Sequence, residues 1–96
     1  MISVTLLAAS LFSYQDVTAA YDNFSACIRT ELDRATSVAS SKADFARYLA
    51  TACKVEEEVA RTAMIKSMNH DPRAEDFHRM AVDSERAVTV DLYPGD

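Results

Sequence analysis

A single glycine, Gly95 beside the C-terminus, most narrows what this chain can fold into. Loops that cradle phosphate with backbone N–H groups, dinucleotide-binding turns and tight two-residue hairpins all need glycine where a side chain would clash. That excludes the large nucleotide-binding families and a hairpin-built sheet. Ninety-six residues are enough for one compact domain and too few for a second.

The apolar pattern supports helix throughout. Val17, Tyr21, Phe24, Ile28, Ala35 and Val38 recur at spacings of four and three, with one gap of seven between Ile28 and Ala35, which places them on one helical face. Ser40 and Ser41 interrupt that run. Ser41-Lys42-Ala43-Asp44 then has the form of a capping box, in which Ser41 and Asp44 would satisfy N–H groups left open at a helix start. Phe45, Leu49, Ala52, Cys53, Ala60 and Ala63 carry a second stripe to about Met68, which predicts one helix of roughly 40 Å from Ser41 to Met68. Asn69-His70-Asp71-Pro72 breaks the pattern again, with Asp71 as N-cap and Pro72 as first helical residue. A third helix follows, with Phe77, Met80, Ala81, Val88 and Leu92 as its packing face.

The two cysteines connect these elements. In an antiparallel hairpin turning about Ser40, residues whose numbers sum to about 80 face each other, and Cys27 and Cys53 meet that condition. The same rule pairs Ala35 with Phe45, Leu32 with Tyr48, Ile28 with Ala52 and Tyr21 with Val59. With no Cys-x-x-Cys motif and no histidine near either thiol in sequence, the pair reads as a structural disulfide contributing roughly 3 kcal/mol. The expected fold is all-α: an antiparallel helical hairpin with a third C-terminal helix.

Residues 1–15 carry no charged side chain, and Ile2–Phe12 has the length and small-residue texture of a signal-peptide core. Val17-Thr18-Ala19 offers a peptidase site. Residues 1–19 are therefore read as a signal peptide and residues 20–96 as a single helical domain, periplasmic or secreted. The chain departs from that pattern in having no Lys or Arg ahead of the apolar run. The alternative is a retained N-terminal helix in a cytosolic interaction or inhibitor subunit. No window reaches the ~18 apolar residues needed to cross a bilayer, so no stable membrane anchor is expected.

Ten basic and fifteen acidic side chains give a net charge of −5, with seven of the acids and three of the bases in residues 71–96. That balance repels phosphate backbones, so nucleic acid is not an expected partner. Three groups invite a chemical reading. Glu31 and Glu56 fall in the hairpin seam, and Glu75-Asp76-Phe77-His78 matches the Glu-x-x-His motif by which some helical bundles hold metal. A small metal-binding protein or enzyme using Glu31, Glu56 and His78 is the resulting alternative. The helical wheel points Glu75 to water, paired with Arg79, and sets His78 on the rim. No serine or cysteine sits in a nucleophile elbow. The chain is thus expected to be non-enzymatic and without a cofactor, and to act through a protein partner or by self-association, because its long second helix exceeds what one short helix covers.

Ala20-Tyr21-Asp22, Phe24 and Cys27, followed by Ala52-Cys53 and Glu56, resemble small exported helical proteins with two cysteines found in proteobacteria. The likeness spans about residues 20 to 63. Those proteins have no established activity, so the resemblance implies a compartment and a disulfide hairpin and is silent on function.

Overall fold

The computed structural model describes the backbone of residues 2–96 and the side chains of residues 15–96. Met1 and the side chains of residues 2–14, which underlie the signal-peptide reading, lie outside that description. The described residues are all-helical with no strand: α1 (Ile2–Thr30), a 3-10 turn (Glu31–Arg34), α2 (Ala35–Val38), α3 (Lys42–Thr51), α4 (Lys54–Ser67) and α5 (Arg73–Asp91).

α1 and α4 run antiparallel, and α5 returns parallel to α1. Tyr21 meets His78 and Arg29 meets Glu85. The Cys27–Cys53 disulfide closes the hairpin, with Cα atoms 6.1 Å apart. Around it lies the main core of Phe24, Ile28, Ala35, Ala39, Phe45, Leu49, Val82 and Tyr93, with Leu32, Tyr48, Ala52 and Cys53 packed against it. Tyr93 also donates its hydroxyl to the Ala39 carbonyl at 3.0 Å, which ties the end of α5 to the hairpin turn. Farther along the bundle the buried apolar residues are Ala20, Ala60 and Ala74, one on each long helix. Small side chains there allow the helix backbones to approach closely.

The helix boundaries follow local chemistry. Ser41 is extended and accepts the Asp44 N–H at 3.1 Å, which is one arm of the capping box. The other arm is missing, because the Asp44 carboxylate bonds the Ser40 hydroxyl and the Arg47 guanidinium instead. At the next break α4 ends in two left-handed residues, Asn69 and His70, and the His70 N–H bonds the Ile65 carbonyl. Asp71 Oδ1 accepts the Arg73 N–H at 2.8 Å. Regular helix starts at Arg73, one residue beyond the expected start, with Pro72 in the cap position.

Several expectations are corrected. The second helix is not continuous: it stops at Thr51 and restarts at Lys54, with Cys53 left-handed at φ 62°. No single 40 Å helix is therefore present to call for a second copy. α1 ends at Thr30, short of Ser40, and passes into the 3-10 turn. Val59, expected in the seam opposite Tyr21, is exposed.

The largest correction concerns α5. Its buried residues are Ala74, His78, Val82 and Thr89, whereas Phe77, Met80, Val88 and Leu92, the expected packing face, are exposed. The helix is rotated away from its apolar stripe because the hairpin offers it hydrogen-bonding partners.

Replacing both cysteines, Cys27→Ala with Cys53→Ala, should lower the unfolding free energy of the full chain by about 3 kcal/mol in denaturant titrations. Phe45→Ala, which empties a fully buried site, should cost about 3–5 kcal/mol with the disulfide intact.

Candidate functional site

The polar side of α5 faces an open cleft of about 430 Å³ against α3 and α4, lined among others by Lys54, Glu57, Arg61, Glu75, His78 and Arg86. His78 is the centre of this arrangement. At 5% exposure it is buried, not on the rim. Its Nδ1 lies 2.8 Å from the Tyr21 hydroxyl, and its Nε2 lies 3.8 Å from Glu57 Oε2, beyond hydrogen-bond reach. Among the described side chains Nε2 is the buried polar atom left without a hydrogen bond.

Burial, with the Glu75 charge adding to it, pushes the Tyr21 phenol up to about 12, so it keeps its proton at neutral pH. Its hydrogen bond with Nδ1 holds the ring in place and oriented, yet no serine or thiol lines the cleft beside it to activate. Both cysteines are consumed in the disulfide.

Arg86 holds the site together. Its guanidinium donates to the Leu49 carbonyl at 2.8 Å, to the Ala52 carbonyl at 3.1 Å and to Glu57 Oε1 at 2.5 Å, and it lies 5.1 Å from the centre of the Phe24 ring. Two of these acceptors belong to the broken end of α3: Leu49 also accepts the Ala52 N–H at 3.2 Å, and Ala52 is the carbonyl left without a helical partner. A cation at that end also opposes the helix dipole. Burial alone would raise the Glu57 carboxyl. The Arg86 hydrogen bond and charge, helped by Lys54 and His78, outweigh it and leave Glu57 below its ordinary value.

Glu75 also departs from its expected role. It bonds Arg61 across the α4–α5 interface, with one contact of 3.0 Å, and this hydrogen bond holds its carboxyl low. Arg79 pairs with Asp76 instead. Glu31 sits at the other end of the core, accepting the Tyr48 hydroxyl at 2.5 Å, and is 3.6 Å from Arg34. The structure therefore does not bring Glu31, Glu56 and His78 together. Among the described residues no three His, Cys, Asp or Glu side chains converge on a metal position. The arrangement is a polar network that locks α5 onto the hairpin, with His78 Nε2 as its one unbonded buried atom among the described side chains.

No family description, curated protein or solved structure matches this chain.

Arg86→Ala should destabilise the fold by about 3 kcal/mol, since it removes the guanidinium from a partly buried carboxylate and strands the Ala52 carbonyl, while Arg79→Ala, at an exposed side chain, should stay within about 0.5 kcal/mol; thermal unfolding of both variants measures the difference. Glu57 and Glu75 titrate below their ordinary 4.5 in the folded chain, so they stabilise it above that pH and lose their contribution as pH falls through the lowered values. Urea midpoints should hold steady down to about pH 5 and decline below it.

Proposed function

We propose that this chain is an exported, non-enzymatic helical module that works by docking another protein onto the outer face of α5. One observation carries the reading: Phe77, Met80, Val88 and Leu92 stand 47%, 66%, 48% and 57% exposed along a single side of that helix. Lone apolar residues on a surface are ordinary, whereas a contiguous row marks an interaction site. Ala81 and Ser84, both exposed, fill the row between them. The polar network explains why the row faces outward. His78, Glu85 and Arg86 form hydrogen bonds to α1, α3 and α4, so α5 is anchored without using its apolar side.

Export is supported by the disulfide, which persists in oxidising compartments. Among the described residues no helix is long and apolar enough to cross a membrane. Catalysis finds no support at His78, whose phenol partner is held protonated and whose neighbourhood lacks a nucleophile.

The double variant Phe77→Asp with Val88→Asp tests the docking face. Fluorescence of an apolar dye bound to the protein should fall several-fold, while the unfolding midpoint stays close to that of the parent. Unchanged dye binding would overturn the proposal. Export is read separately from intact mass in a Gram-negative host: loss of about nineteen residues supports it, and an unprocessed chain with free thiols defeats it.

A further inference from the structure

The docking face has an electrostatic edge. Asp76 and Asp83, both exposed and seven residues apart, flank the apolar row on the side opposite His78 and Glu85, where Asp83 also borders the cleft, and exposed Asp91 lies within the row near its C-terminal end. On the α1 side His78 and Glu85 are already engaged with Tyr21 and Arg29. Asp83 and Asp91 meet no cation among the described residues, and Asp76 meets only Arg79, at 3.3 Å between two largely exposed side chains. We infer that the occupant of this face is an amphipathic helix of another protein that carries Lys or Arg along one edge. This rests on the docking reading above and names the partner's chemistry.

Three other features favour that occupant. The row from Phe77 to Leu92 is about 22 Å long, roughly four helical turns. Ala81 and Ser84, near its middle, are small enough to let a second helix backbone come close. A basic edge would also neutralise acids that sit in the most acidic third of a chain of net charge −5.

Rival occupants meet the same acids less well. A second copy paired antiparallel about a two-fold axis brings like edges together, so the edge with Asp76 and Asp83 faces its own image. An anionic bilayer is repelled, because helices that lie in lipid headgroups flank their apolar face with Lys and Arg.

The test uses the full oxidised chain and two synthetic helical peptides of equal length with the same leucine seam, one edged with Lys and one with Glu. Fluorescence anisotropy at low salt should show the Lys-edged peptide binding at least tenfold tighter. The gap should close in about 1 M salt, where charges are screened beyond ~3 Å. Asp83→Lys with Asp91→Lys should reverse the preference. If that variant misfolds, Asp83→Asn with Asp91→Asn should erase it.

Equal affinity for both peptides overturns the inference and leaves the docking face standing. Binding of neither, together with unchanged dye signal in the Phe77→Asp, Val88→Asp variant, overturns both. A dimer in sedimentation whose formation is abolished by that same variant overturns the inference in favour of a second copy.

Discussion

A carbonyl oxygen stranded at the end of a helix needs a donor, and at Ala52 that donor is the Arg86 guanidinium, which also joins the Ala52 N–H on the Leu49 carbonyl. The fold depends on that contact. It stabilises the interruption between α3 and α4, where Cys53 takes its left-handed turn and reaches Cys27. Through Glu57 it also couples the interruption to the buried imidazole of His78. Remove the guanidinium, and the broken helix end, the carboxylate and the orientation of α5 lose their common support.

This coupling explains the two-sidedness of α5. A helix in a small bundle ordinarily turns its apolar stripe inward, since burial of each large side chain is worth about 1.5–3 kcal/mol. Here the inward side carries His78, Glu85, Arg86 and Thr89, each hydrogen-bonded within the chain. Val82 and Tyr93 contribute the apolar contacts to the core. Polar bonding, supplemented by two large side chains, takes the place of a full hydrophobic seam.

The legible parts of the fold were those governed by local rules. Serine and proline placed the breaks near Ser41 and Pro72, because capping depends on residues a few positions apart. Cys27 and Cys53 could be paired because antiparallel helices obey a simple sum, and the seam partners Ile28, Leu32 and Ala35 followed from the same sum. The interruption at Ala52 gave no such signal: neither Gly nor Pro stands there, and the side chain that stabilises it lies 34 residues away. The orientation of α5 was hidden for the same reason. A helical wheel ranks faces by apolarity and cannot see that Tyr21, Leu49 and Glu57 wait opposite the polar one. His78 and Glu75 were misplaced as a consequence, and Arg86, the central residue of the site, carried no motif by which to find it.

The crosslink has a mechanical consequence. It joins α1 to the start of α4 and encloses α2, α3 and the turn at Ser40, while α5 stays outside the ring. Under tension applied at the two chain ends, force travels from Cys27 directly to Cys53 and bypasses everything between. The enclosed segment, about 80 Å of extended contour, stays slack while α4 and α5 unravel. A chain built this way would keep the fold of its ring only as far as α3 can hold without the guanidinium supplied from α5, so the protected loop and the surrendered helix are mechanically separate but energetically joined.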